Sequence, residues 1–265
     1  FAVLTDSSIG ELFLGGIGPG LLLTAGFAAW IVFIGMTRPE RVGKGALAGE
    51  ADEEHVRRRM LLPVLFLAAI VLGGIYLGFF TPTEAGAVGA FAALAIAFAM
   101  RRLDAARAWR ITVQTGHITA AVCFLIIGAA IYGRMLAFSG VPGAVTNWAT
   151  QAGLGPFGFL LLFSAMLVVL GTILDSASIM LVTVPLAFPI AQGLGIDPVH
   201  FGLITVMAIE IGLLTPPLGI SVFVVTSTLK GTGVELKDVF IGAAPFALVM
   251  AVTLIAVIAF PTIVT

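Results

Sequence analysis

Charge is scarce in this sequence: 10% of its 265 residues are Asp, Glu, Lys or Arg, against about a quarter in an ordinary soluble domain. Mean hydropathy is +1.15, which excludes a water-soluble globular protein and points to a polytopic membrane protein. A single cysteine, Cys123, excludes an internal disulfide framework and a cysteine metal cluster. His117 and His200 stand without a ligand-spaced partner, so no transition-metal site is expected and both read as helix-packing residues. A net charge of -1 gives no nucleic-acid signal. The sequence begins at Phe1 with neither an initiator Met nor a basic leader, so a fragment or processed piece without a signal peptide is expected.

What is present is a series of long apolar runs. Spans are expected from Leu12 to Met36, Met60 to Phe80, Glu84 to Met100, Ile111 to Leu136 and Val239 to Thr262, each near the ~20 helical residues that cross a bilayer core. Thr81-Pro82-Thr83-Glu84 has the form of a capping box with Pro at the first helical position. Two basic loops, 37–59 and 101–110, are separated by two spans and so share a side, the cytoplasmic one by the positive-inside rule. Residues 139–156, punctuated by Gly and Pro and carrying Asn147, Trp148 and Gln151, suit an interfacial segment.

Two further apolar runs are interrupted where a membrane helix should be continuous. Residues 159–191 are broken by Asp175-Ser176-Ala177-Ser178, leaving two arms of about 15 residues, too short for full crossings. A re-entrant hairpin entering from outside, its tip at 171–178, is therefore expected. Residues 198–230 open on Asp197-Pro198 as N-cap and first helical residue, and are broken at Thr215-Pro216-Pro217 with Gly219 following. Freed backbone groups in lipid cost several kcal/mol each unless protein, water or an ion satisfies them. Paired breaks of this kind build binding sites in secondary transporters.

The prolines withhold amides from upstream carbonyls, so the carbonyls of Gly212, Thr215 and Leu218 are candidate ligands for Na⁺. The hairpin tip offers the carbonyl of Gly171 and oxygens of Thr172, Asp175, Ser176 and Ser178. Asp175 reads equally as the N-cap of the second hairpin arm, and an ionisable group within the membrane reads as functional. Glu210 reads as an ion or proton ligand, or as a structural group paired with Arg134 or the backbone. A membrane enzyme using Asp175 and Glu210 as acid and base would lack any paired nucleophile and base. A helix break used only for packing is the plain alternative.

With these residues in view, the chain resembles the large membrane subunit of tripartite ATP-independent periplasmic (TRAP) transporters, the DctM type. The matching stretches are Thr5-Asp6-Ser7-Ser8-Ile9-Gly10-Glu11-Leu12-Phe13 with Pro19-Gly20, Gly73-Gly74-Ile75-Tyr76, Thr81-Pro82-Thr83-Glu84-Ala85, Pro185 with Pro189, Leu194-Gly195-Ile196-Asp197-Pro198-Val199-His200-Phe201-Gly202, and residues 210–219. The resemblance covers essentially the whole chain and matches the C-terminal portion of the family subunit, without its first hairpin and first broken helix. It implies an elevator-type importer driven by Na⁺, with a carboxylate substrate such as a C4-dicarboxylate or sialic acid. A periplasmic binding protein and a small membrane subunit are the implied partners. The family's Na⁺ site falls on the backbone at Gly171, Gly212, Thr215 and Leu218. The chain departs from the family at Ala208, where relatives often carry Asn. A binding-protein-independent elevator symporter for anions is the rival reading.

The expected fold is an all-α polytopic membrane protein of the bacterial inner membrane. It has an elevator-type architecture with a re-entrant hairpin and a discontinuous helix, as part of an inverted repeat. The weak likeness of residues 13–19 to 239–245 would be a trace of that repeat. The expected divisions are scaffold-like spans over 1–158, a transport core over 159–230 (hairpin 159–191, broken helix 198–230) and a final span over 231–265.

Overall fold

The computed structural model describes residues 1–37, 51–151, 153–229 and 233–264, with 51–60, 149 and 150 described by their helical backbone alone. Much of the first expected basic loop, including Arg38, Arg41 and Lys44, lies outside the described residues, as does Lys230. All regular structure among the described residues is helical. In chain order the helices are α1 (Ala2–Thr5), α2 (Ile9–Gly15), α3 (Ile17–Thr37), α4 (Ala51–Tyr76), α5 (Pro82–Ala99), α6 (Ala105–Ser139), α7 (Val141–Gln151), α8 (Pro156–Gly171), α9 (Ser176–Gly193), α10 (Pro198–Leu214), α11 (Ile220–Thr228) and α12 (Leu236–Ala259). Among the described residues, five stretches are long and apolar enough to cross a membrane: Ile9–Thr37, Pro82–Ala99, Ala105–Ser139, Ser176–Gly193 and Leu236–Ala259. The expected span 60–80 appears as the shorter apolar helix Leu61–Tyr76, and the second hairpin arm, expected to be too short to cross, is long enough.

Local chemistry sets the helix boundaries. Ser8 caps α2 by accepting from the Glu11 amide. The capping box at α5 is complete: the Thr81 amide donates to Glu84 Oε2 at 2.8 Å, and the Glu84 amide donates to Thr81 Oγ1 at 3.3 Å. Asp197 accepts from the amides of Val199 and His200, with Pro198 leading α10. Helix α12 ends at Ala259, short of the expected Thr262, because Pro261 has no amide to continue the ladder and a 3-10 turn follows over Pro261–Ile263. Within the expected interfacial segment 139–156 the chain forms α7. Pro142 falls in its first turn, where a missing amide is tolerated.

The chain divides into two compact units, Phe1–Ile31 with Phe124–Thr265, and Val32–Cys123. In the second, α4 packs on α5, with Gly89 approached closely by Val71 and Gly74 by Phe80. In the first, α8, α9, α10 and α12 surround a core that includes Leu160, Phe163, Leu167, Ile179, Phe201, Ile204, Ile209, Leu254 and Val257. Phe163 stacks on Phe201 with ring centroids 5.1 Å apart and planes 22° from parallel. Helix α10 supplies the largest share of this core, so the element that carries the break is also the most enclosed.

The outer surface is as apolar as the interior. Phe138 is 92% exposed, and Leu77, Phe79, Phe91 and Phe124 about three-quarters exposed. Water would not tolerate such a surface, whereas lipid tails match it. Lipid also removes the hydrophobic drive between helices, so close packing and satisfied backbone groups must hold the core together.

Candidate ion and solute site

The site forms where two helix ends meet. Helix α8 ends at Gly171 and α10 at Leu214, and the two helices make the most extensive pairing in the first unit. Neither Gly171 nor Gly212 has room for a side chain. A methyl group on Gly171 would lie 2.8 Å from the Gly212 α-carbon, and one on Gly212 would lie 2.6 Å from the Val168 carbonyl oxygen. Small residues let the two backbones touch.

Beyond these glycines both chains leave the helix. In the hairpin, the amides of Thr172 and Ile173 fold back onto the carbonyls of Val169 and Leu170, and the Leu174 amide also donates to Leu170. Asp175 then opens α9: one carboxylate oxygen accepts from the amides of Ala177 and Ser178, each at 3.1 Å, and the other accepts from the Ser178 hydroxyl. The hairpin is therefore broken over 172–175, slightly before the expected polar centre, and Ser176 to Ser178 form the first turn of the second arm. The expected capping role of Asp175 is observed.

In the second chain, α10 stops at Leu214 and α11 starts at Ile220. The peptide between Pro216 and Pro217 is cis. In a continuous helix Pro216 and Pro217 would donate to the carbonyls of Gly212 and Leu213, and neither proline can. The Gly212 carbonyl recovers one donor, the Thr215 amide at 2.9 Å, while the Thr215 hydroxyl turns back to the Ile211 carbonyl at 2.7 Å. The Leu218 amide crosses to the hairpin and donates to the Thr172 carbonyl at 3.3 Å, instead of reaching Leu214. The carbonyls of Leu213 and Leu214 thus lose their usual helical donors. Gly219 closes the break in the left-handed region, φ +52°, against the ring of Phe240.

The structure brings together part of the expected constellation. Gly171 meets Gly212, Thr172 meets Leu218, and the Thr215 carbonyl lies beside Gly219. Asp175 and Ser178 bond to each other and to the start of α9, with no hydrogen bond to the break among the described residues. Ser176 is half-buried in that same turn. Glu210 is exposed on α10 between the buried Ile209 and Ile211, and the alternative pairing with Arg134 is not formed among the described residues. As an arrangement of hard oxygen donors, a break with displaced carbonyls beside a short polar loop suits an alkali cation. The start of α11, which has no side-chain cap, presents a helix N-terminus that favours an anion, whereas the first amides of α9 are already taken by the Asp175 carboxylate.

Two contacts were not anticipated from the sequence. One is the Thr172–Leu218 tie. The other is the buried His200, whose Nε2 lies 2.8 Å from the Val257 carbonyl oxygen. Pro261 stands four residues after Val257 and cannot donate to that carbonyl, and His200 does so instead. The spacing of Val257 and Pro261 is the signal from which a borrowed donor could have been expected; its source in α10 could not.

The family description "Tripartite ATP-independent periplasmic transporter, DctM component" matches residues 1–263. The chain belongs to the DctM family. It is 34% identical over 264 residues to the C4-dicarboxylate TRAP transporter large permease protein DctM of Pseudomonas aeruginosa, covering 99% of this chain and 60% of that protein. It is 33% identical over 264 residues to the ectoine/5-hydroxyectoine TRAP transporter large permease protein UehC of Ruegeria pomeroyi, with 99% and 60% covered. Identity to the sialic acid TRAP transporter large permease protein SiaM of Vibrio cholerae is 32% over 228 residues, with 85% and 52% covered. The chain thus spans about 60% or less of the length of these relatives. DctM membership and the five apolar stretches place it in the inner membrane.

Proposed function

We propose that this DctM-family chain carries the second half of a Na⁺-coupled permease that imports carboxylates handed over by a periplasmic binding protein. The observation that carries the reading is the docking of the hairpin tip on the break in α10–α11. There, Gly171 and Gly212 touch, Thr172 accepts from Leu218, and the prolines displace neighbouring carbonyls. In this reading Na⁺ is held by backbone oxygens at Gly171, Gly212, Thr215 and Leu218. Thr172, Asp175, Ser176 and Ser178 lie on the substrate side, and Glu210 is the candidate for ion or proton coupling. The break itself is made by Pro216, Pro217 and Gly219.

Such a site couples ion to substrate through a shared wall. A cation that orders the break also orders the hairpin bonded to it, and the uncapped N-terminus of α11 then favours the substrate's negative charge. The cycle would be elevator-type, with residues 159–230 as the core of the moving part and a small membrane subunit as partner. The relatives' C4-dicarboxylate, ectoine and sialic acid substrates all carry a carboxylate, which supplies the substrate class, and their similar identities to this chain do not choose among them.

The test is uptake of labelled C4-dicarboxylate and sialic acid into proteoliposomes containing the full-length permease with its small subunit. It is run with and without an inward Na⁺ gradient, and with and without the binding protein. Uptake that requires both supports the proposal and names the substrate. Uptake that needs the gradient but not the binding protein moves the chain to the self-sufficient anion symporters, and uptake indifferent to Na⁺ ends the ion-site assignment.

A further inference from the structure

The turn between α5 and α6 is a second built feature, outside the site above. Helix α5 ends in a double reverse bond: the Arg101 amide donates to Phe98 at 2.9 Å and the Arg102 amide to Ala97 at 3.0 Å. That motif puts its closing residue in the left-handed region, a position normally given to glycine. Here it is Arg101, at φ +55°. Three residues on, Asp104 accepts from the Arg107 amide at 2.6 Å, and its other oxygen sits 3.5 Å from Arg107 Nε. Arg107 also donates from Nη1 to the Arg102 carbonyl at 3.4 Å. The turn is fastened by one of its four arginines, and that one is neutralised by Asp104.

The other three, Arg101, Arg102 and Arg110, are exposed and form no ion pair among the described residues. Trp109, 72% exposed, stands beside Arg110. From there an open, shallow face of α6 carries Trp109, Arg110, Val113, Gln114, His117 and Ile118, and its accessible wall is almost wholly apolar. Arg110 and Trp109 stand at the loop end of this face, and Val113 and Ile118 follow along the helix. An indole at this level suits the headgroup region. Charge asymmetry along the chain puts this turn on the cytoplasmic side, the leaflet that carries anionic lipid.

We propose that the α5–α6 turn and the apolar face of α6 beside it bind an anionic phospholipid. Arg101, Arg102 and Arg110 hold the phosphate, and an acyl chain lies along the apolar face at Val113 and Ile118. Charge complementarity decides the occupant. Three unneutralised guanidiniums on a fastened turn demand phosphate-type anions, and the apolar continuation excludes a free inorganic ion as the natural ligand.

The test titrates short-chain phosphatidylglycerol, and separately phosphatidylcholine, onto the complete detergent-solubilised permease complex, with bound lipid read by native mass spectrometry. Wild type is expected to prefer phosphatidylglycerol, and the preference is expected to shrink with added salt. R101Q/R102Q/R110Q should lose about five-fold per arginine, roughly a hundred-fold in all, at ~1 kcal/mol per basic residue near the surface. The charge-conserving R101K/R102K/R110K should retain most of the preference, which separates lost charge from lost folding. Equal binding of the two lipids by wild type overturns the proposal, as does unchanged phosphatidylglycerol binding in the glutamine variant. Loss of the small subunit from that variant with lipid binding intact would assign the turn to a protein contact instead.

Discussion

Gly171 and Gly212 touch through their backbones: a methyl group on the first would lie 2.8 Å from the α-carbon of the second. The contact is the pivot of the candidate site, because the hairpin leaves α8 on one side of it and the break leaves α10 on the other. Gly171→Ala and Gly212→Ala should each force the helices apart. The expected cost is about 1–3 kcal/mol, as for other overpacked sites. Thermal unfolding of the full-length protein should show it, along with loss of Na⁺ stimulation in the uptake assay. Gly242→Ala in α12, with nothing within 4 Å of the added methyl, should leave both unchanged. Unaltered Na⁺ stimulation in Gly212→Ala would remove this contact from the mechanism.

Restoring the missing donors tests the break. Thr215→Ala with Pro216→Ala returns an amide to the Gly212 carbonyl and deletes the hydroxyl now bonded to Ile211. The variant should assemble with its partner normally and lose Na⁺-dependent uptake. Persistent Na⁺ stimulation at the wild-type level would exclude Thr215 and its neighbours as the ion site.

Asp175 separates capping from charge. Both its oxygens are already engaged by Ala177 and Ser178. Asp175→Asn, still a good cap, should keep stability and most uptake, while Asp175→Ala should lose about 1 kcal/mol. A stable Asp175→Asn that fails to transport would instead give the negative charge a direct part in binding.

His200 and Pro261 form a compensating pair across the core. His200→Leu leaves the buried Val257 carbonyl without its donor, at an expected 1–3 kcal/mol. Adding Pro261→Ala returns an amide four residues after Val257, so the double variant should recover part of that loss. Additive losses in a double-mutant cycle would mean that His200 acts through packing alone.

Much of this was readable along the chain because the responsible physics is local. Thr81-Pro82-Thr83-Glu84, Asp197-Pro198 and the tandem prolines each act on neighbouring backbone groups, so caps and the broken helix follow from sequence order, as do four of the five expected spans. The glycine- and proline-rich stretch before the hairpin left its conformation open in the sequence; Pro142 sits in a first turn and α7 packs on α9, with Thr146 against Gly193.

The sequence by itself determined that the chain is helical, that it lives in lipid, and that the run over 198–230 must break at Pro216-Pro217, since a proline withholds its amide in any surroundings. Only the tertiary structure decided which displaced groups find each other. Leu218 donates to Thr172 across 46 residues and His200 to Val257 across 57. A freed carbonyl accepts from whichever donor packing brings to it, and in a core without a hydrophobic drive that choice rests on which backbones can approach most closely.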